Sequence, residues 1–377
     1  MLVYALASTW SPKPSQSIAV VITAFATVGA IIMAHTSEDS SRTDLLRVTM
    51  WIIAPIALAQ SLATILFLVN PVVEDSYFRS KVFEFLLGDE ARYLFTTLPN
   101  NVTDPEKSGG LLFVNGNKAS MVMAVWGLVY FSLWLRKRSF FMVATTVVCM
   151  TGSVFTGSKT AIILCAIIPA SFLLIPAVIR LRKNPAGMVF SIAGLGVLAA
   201  ALGALAGTAS DLLNRADEAA TARVGLWSAA AGYFQQSPLL GLGFQGWSLH
   251  WAQDAASYGL RDNYQPHNLL IWNWANAGLL APILILLVFI FFGLYYVKAI
   301  ARANSRREAL ALSFELAALV WMFAHAMFDN TELFGTSHTL PVFALLAARA
   351  STVVTSQIPG SLADGRVEQL EPLKGFQ

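Results

Sequence analysis

Apolar residues in this chain run in blocks of roughly 18–28 positions separated by short polar connections, the length a helix needs to cross a bilayer core. About nine such blocks stand out on this criterion: Ser17–Ala34, Leu46–Val69, Leu111–Leu135, Phe140–Thr156, Thr160–Ile179, Gly187–Gly207, Asn268–Val297, Ala309–Phe328 and His338–Thr355. Two wide polar interruptions break the series, Pro71–Gly110 and Thr208–Gln265. Inside the second, Asp211–Gln236 has helical spacing, with Leu212, Val224, Trp227, Ala231 and Phe234 on one apolar face. It is too polar to span, so it is predicted to lie along the membrane interface as an amphipathic helix. Ser237-Pro238-Leu239-Leu240-Gly241-Leu242-Gly243 predicts a glycine-rich turn, and Gln265-Pro266-His267-Asn268 the start of the next apolar helix, since proline favours a first helical turn. The polar tail from Ser356, rich in proline and glycine, is predicted to be disordered.

The pattern is therefore all-α, a polytopic membrane helix bundle with residues 1–355 as a single transmembrane domain. It carries a large outer loop over 208–265, a smaller outer segment over 71–110 and a cytoplasmic tail over 356–377.

Composition agrees. Of 377 residues 56% are hydrophobic and only 12% charged, against about 25% charged in soluble domains. A net charge of +3 says nothing about nucleic acid, and none is expected as a partner; where the positive charges sit is what carries information. Arg136-Lys137-Arg138 follows the third block, Arg180-Leu181-Arg182-Lys183 the fifth, and Lys298, Arg302, Arg306 and Arg307 the seventh. Even numbers of crossings separate these clusters, so they share one side. The positive-inside rule makes that side cytoplasmic, along with Arg42, Arg47 and the tail. The outer face then holds the acidic Pro71–Gly110 segment, the tight Gly157-Ser158-Lys159 connection and the long loop, with the N-terminus outside. Met1–Trp10 is short and has no basic n-region, so no cleavable signal is expected. Cys149 and Cys165 lie within apolar blocks and read as small hydrophobes in helix packing.

Chemistry is expected in the 208–280 stretch and its outer-face neighbours. Arg223 sits in the apolar context Val224-Gly225-Leu226-Trp227. It fits two readings: a snorkelling interfacial arginine, or a guanidinium fork held for phosphate oxygens. His267, at a predicted helix start, fits either a polar helix cap or a base, because the positive end of a helix disfavours imidazolium. Asn268 beside it has the same two readings. Lys159, in a tight glycine turn, suits a phosphate contact or a snorkelling lysine. Asn115 and Asn117 open the third block, where they cap a helix or bind sugar hydroxyls. His35, His250, His325 and His338 have no metal-ligand spacing, and no metal or other cofactor is expected. Asp329 and Glu332 are outer-face carboxylates open to an acid role.

These residues carry a resemblance. Arg223 with Leu226-Trp227, the Ser237–Gly243 turn, then Pro266-His267-Asn268 and Gly278 resemble the signature of the O-antigen ligase and Wzy-type polymerase superfamily. Upstream, Ser8-Thr9-Trp10-Ser11-Pro12 resembles its Trp-Ser-x-x-Pro segment, Asn115-Gly116-Asn117 its Asn-Pro-Asn helix start, and Ser158-Lys159-Thr160-Ala161 its Ser-Arg-x-Ala turn. The resemblance spans nearly the whole chain. It departs at Lys159, where arginine is usual, and at the start, where relatives carry further spans before the Trp-Ser segment.

The resemblance implies a bacterial inner-membrane glycosyltransferase of GT-C type with its site facing the periplasm. The donor is a glycan on undecaprenyl diphosphate, and the acceptor another glycan or a lipid A core. Membrane lipid and other polysaccharide-assembly proteins are its implied partners. Carried onto this chain, His267 is the catalytic base for a metal-independent transfer, Arg223 the diphosphate clamp and Lys159 a second cation. The alternative, a transporter or flippase for the same lipid-linked saccharides, calls for ionisable groups deep in the spans. Here these are few, Glu315 and His325 among them.

Overall fold

The computed structural model describes residues 2–36, 39–88, 106–181, 210–329 and 340–355, and every regular element among them is helical. In chain order these are α1 (Leu2–Ala7), α2 (Pro14–Thr36), α3 (Asp39–Val69), α4 (Pro71–Phe78), α5 (Lys81–Leu87), α6 (Gly116–Lys137), α7 (Phe140–Val154) and α8 (Lys159–Leu181). There follow α9 (Ser210–Gln236), α10 (Gly246–Asp254), a 3-10 turn (Ala255–Tyr258), α11 (Leu269–Ala277), α12 (Leu280–Arg302), α13 (Arg306–Ala326) and α14 (Leu340–Thr355). Among the described residues five helices are long and apolar enough to cross a membrane: Leu45–Val69 within α3, α6, Lys159–Val178 within α8, α12 and α13. Shorter apolar helices cover Ser17–Gly29 and Phe140–Val154. This is a multi-pass membrane protein. The expected span Gly187–Gly207, the 356–377 tail, Glu332 and His338 lie outside the described residues.

The bundle is organised around α6 and α13. Their membrane-length windows are 83% and 78% buried, whereas those of α8 and α12 are only 22% buried. The first pair therefore forms the interior, and the second turns its apolar side chains outward, as lipid-facing helices do. α6 and α13 run antiparallel: Ser120 meets His325 at one end, Ser132 meets Glu315 midway, and Arg136 meets Glu308 at the other.

That last end, the basic end, carries a buried charge network. Arg136 grips Glu308 with Nε at 3.1 Å and a terminal nitrogen at 3.0 Å, and reaches Glu315 at 2.5 Å. Arg349 of α14 donates to the other Glu315 oxygen at 2.9 Å, and Ser132 and Tyr296 complete its shell. Glu315 is fully buried, so α6, α12, α13 and α14 are locked around one carboxylate. Two arginines against two glutamates leave no uncompensated charge, the condition under which buried ions are tolerated.

Two expectations are corrected. The apolar run Asn268–Val297 predicts one helix, but the structure divides it into α11 and α12 at Gly278. That residue has φ +79, and a Cβ there would lie 2.0 Å from the Leu239 carbonyl oxygen. The glycine turn wedges into the gap, with Leu242 N–H donating to Ala275 O at 2.7 Å and Leu279 N–H to Leu239 O at 3.1 Å. Periodicity misses this break because both sides of it are apolar. The second correction concerns α9. It is a helix as predicted, but its buried stripe is Leu226, Ala229, Ala230 and Tyr233, while Val224 is 61% exposed and Phe234 38%. Alanine-rich sequence offers several candidate stripes, and the partner surface selects among them. Leu212's side chain lies outside the described residues.

Candidate functional site

The end opposite the basic cluster is assembled by tryptophans. The Leu226–Tyr233 stripe of α9 packs on Trp247 and Trp251 of α10 and on Trp274 of α11. A buried indole N–H needs an acceptor, and here each indole takes a loop carbonyl. Trp227 donates to Pro266 O at 2.9 Å, Trp247 to Tyr264 O at 2.9 Å and Trp251 to Arg261 O at 2.7 Å. Trp274 donates to Pro238 O at 3.1 Å, and Trp10 to Leu240 O at 3.1 Å. The two loops 237–245 and 259–268 are thus fixed from several sides. The N-terminal Trp-Ser-Pro segment does the same work: Ser11 Oγ accepts from Phe244 N–H at 2.9 Å, and Lys13 N–H donates to Phe244 O at 3.2 Å.

His267 does not open a long helix. It stands before α11 with φ +48, the left-handed region, which a β-carbon disfavours by about 1–3 kcal/mol unless its surroundings impose it. The surroundings are visible on both sides. Pro266 is pinned by Trp227, and Asn268 is the true cap, its Oδ1 accepting from Leu270 and Ile271 N–H at 2.9 and 3.1 Å. The Asn268 amide donates to Met327 O at 3.2 Å, tying the start of α11 to the end of α13. This connection brings in Asp329. Its Oδ1 lies 3.8 Å from His267 Nδ1, with the carboxylate 1% and the imidazole 25% exposed. The Tyr264 ring stands edge-on to His267 at 6.3 Å.

Arg223 is half-buried on α9, one turn before Trp227. Its Nε is buried with no hydrogen-bond partner. Lys159 begins α8 at this end of the bundle. The turn before it is held by Ser108 N–H donating to Thr156 O at 3.2 Å, and Ser158 Oγ accepts from Ala161 N–H at 3.3 Å. Asn115 is an N-cap, its side chain accepting from Asn117 N–H at 2.8 Å. The Asn117 carbonyl accepts from Ser120.

The segment before α6 is held by neutral partners. Gln60 donates to Gly109 O and accepts from Leu112 N–H, both at 2.8 Å. Glu74 accepts from Ser108 Oγ at 3.0 Å, and burial pushes its carboxyl up to about 7 against the hydrogen bonds from Ser108 and the Gly109 backbone.

Sequence reasoning left two of these residues aside. Asp329 was one of two outer carboxylates, and its link to His267 comes only through the Asn268–Met327 contact. His325 was set aside for lack of metal spacing, yet it joins Ser120 to the site. Among the described residues no group of His, Cys, Asp and Glu has metal-holding geometry.

A family model described as O-antigen ligase matches residues 144–286. Over this segment the chain is similar to the O-antigen ligase family. The segment runs from within α7 into α12 and contains Lys159, Arg223, His267 and Asn268, but ends before His325 and Asp329. The matched segment thus contains Lys159, Arg223 and His267, and Asp329 follows α13 outside it. No curated protein matches the chain.

Proposed function

We propose that this chain is an inner-membrane glycosyltransferase of the O-antigen ligase and polymerase type. It moves a glycan from undecaprenyl diphosphate to an acceptor sugar hydroxyl at the periplasmic face, as in exopolysaccharide or O-antigen polymerisation or in O-antigen ligation. Arg136, Lys137, Arg138, Arg302, Arg306 and Arg307 gather at the basic end, which the positive-inside rule assigns to the cytoplasm, and the His267–Asp329 end then faces outward.

One observation carries the reading. A half-buried guanidinium whose Nε has no protein acceptor stands on the helix that Trp227 ties to the turn of a histidine–carboxylate pair. A cation left open in this way suits an anionic ligand, and a histidine backed by a carboxylate suits proton abstraction from a hydroxyl. In the reaction the acceptor hydroxyl loses its proton to His267 while its oxygen bonds to the anomeric carbon. The bond from that carbon to the diphosphate oxygen breaks, and the electron pair leaves with undecaprenyl diphosphate, whose charge falls to Arg223 and Lys159. Asp329, on the Nδ1 side, orients the ring and stabilises its positive charge. Its 3.8 Å separation shortens once the ring is protonated, since catalytic contacts tighten in the reacting complex.

The test is transfer from an undecaprenyl-diphosphate-linked glycan by purified protein. His267→Ala should lower the rate by at least about a hundredfold while the protein still inserts and accumulates. Product at the wild-type rate would overturn the assignment.

A further inference from the structure

α3 runs antiparallel to α6. Toward one end Thr64 of α3 meets Met123 of α6, and toward the basic end the Tyr130 hydroxyl of α6 donates to Met50 O of α3 at 2.5 Å. Near that basic end a groove of about 590 Å³ opens between the start of α3 and the α6–α7 turn. Arg47, Val48, Trp51 and Ile52 line it from α3, and Lys137, Ser139 and Met142 from the turn. Its volume falls within the roughly 300–1,000 Å³ of small-molecule sites.

The lining is of two kinds. Trp51 stacks on Phe141 of α7, ring centroids 4.7 Å apart and planes 4° from parallel. With Val48 and Ile52 it forms an apolar wall that the bundle leaves exposed. Arg47, one turn nearer the helix start, and Lys137, the last residue of α6, supply positive charge. Among the described residues that line the groove none is acidic. Neighbouring cations are directed elsewhere: Arg136 inward to Glu308 and Glu315, Arg138 over the Trp134 ring at 4.7 Å, and Arg307 to Leu135 O at 3.0 Å.

We propose that this groove binds an anionic phospholipid. The lipid phosphate lies against the Arg47 guanidinium, whose fork suits paired oxygens, and the Lys137 ammonium. An acyl chain runs over Val48, Trp51 and Ile52. Charge complementarity selects this occupant: a zwitterionic headgroup brings an ammonium of its own toward two cations, and a free phosphate leaves the apolar wall uncovered. Basic pockets between membrane helices recognise anionic lipids on these terms, and indoles favour the headgroup level. The groove lies at the opposite end of the bundle from His267, so lipid binding there is separate from the reaction proposed above and does not depend on it.

The probe is phosphatidylglycerol, compared with phosphatidylcholine of the same acyl chains. Each is added to delipidated full-length protein in detergent, and bound lipid is counted by native mass spectrometry. Wild type should favour phosphatidylglycerol by about tenfold or more. Lys137→Gln changes an exposed side chain and should cut that preference by about threefold or more, and Arg47→Gln combined with Lys137→Gln should abolish it. Lys298→Gln removes an exposed charge of α12 that does not line the groove, and should leave the preference within about twofold. Where the double variant fails to accumulate, Lys137→Glu takes its place and should bring the two lipids level. Equal binding of both lipids by wild type overturns the proposal, as does an unchanged preference in Lys137→Glu. A loss in Lys298→Gln as large as that in Lys137→Gln also overturns it, because the preference is then a diffuse attraction to the basic end. Soluble glycerol phosphate should fail to displace the lipid at equal concentration; if it competes as well as the lipid, the groove is a phosphate site and the lipid assignment falls.

Discussion

At the basic end of α13, Glu308 and Glu315 meet Arg136 and Arg349 in a set where each charge has an opposite within 4 Å. At the other end the same helix carries His325 and leads on to Asp329, whose carboxylate lies 3.8 Å from an imidazole that is 25% exposed. Arg223 brings a guanidinium nitrogen without an acceptor, and His267 holds a backbone angle that a side chain disfavours. One end is electrostatically closed and the other is open. A closed network gains nothing from a ligand and serves to fix helices in register. An open one retains interaction energy for whatever binds, which is where a reaction has to be sought.

Substitution should break this contrast in opposite ways. The largest effect is expected at the closed end: Arg136→Ala leaves Arg349 alone against Glu308 and Glu315, one buried charge uncompensated, and should cost about 3–5 kcal/mol, seen as poor accumulation and a collapsed thermal midpoint in detergent. At the open end, Arg223→Lys keeps the charge and loses the fork. It should reduce transfer by about 10–100-fold, or about 1.4–2.7 kcal/mol, with the thermal midpoint nearly unchanged. If Arg223→Lys destabilised the fold as Arg136→Ala does, the contrast would fail.

A third prediction concerns Glu74, whose partners Ser108 and Gly109 are neutral. Its carboxyl is raised from 4.5 to about 7 by burial, so its protonated form is favoured in the fold. Stability from this source is complete below about pH 4.5 and lost as pH rises through about 7, an effect on the order of 1–3 kcal/mol. The thermal midpoint of wild type should fall across that window, and that of Glu74→Gln should stay flat. The smallest effect is His267→Gly. It relieves the positive φ and should raise stability by about 1 kcal/mol while abolishing transfer, measurable as a higher midpoint in an inactive protein.

Much of the fold was legible because bilayer crossing imposes long apolar runs and short basic connections, and α3, α6, α8 and α13 appear where those runs predicted. Caps were legible too: Asn115 and Asn268 lie at helix starts and accept backbone N–H groups there. What escaped notice depends on contacts distant in sequence. The break at Gly278 exists because Leu239 and Leu242 press into it, and the buried face of α9 is chosen by Trp247, Trp251 and Trp274. Asp329 and His325 belong to the site only because α13 returns antiparallel to α6 and its end is tied to Asn268. The density of tryptophan between Trp227 and Trp274 was the available signal for that pinned architecture, and it went unread because each indole taken alone looks like interfacial decoration.

The contacts of Trp10 and Ser11 with the 240–244 turn, some 230 residues away in sequence, set an order in time. The Trp10–Ser11 segment cannot take its final place until the turn it touches, some 230 residues later, has been made. Until then the glycine turn lacks one of its supports, the others being Trp274 and the backbone of the α11–α12 break. Closure of this end therefore joins a segment made early to one made some 230 residues later.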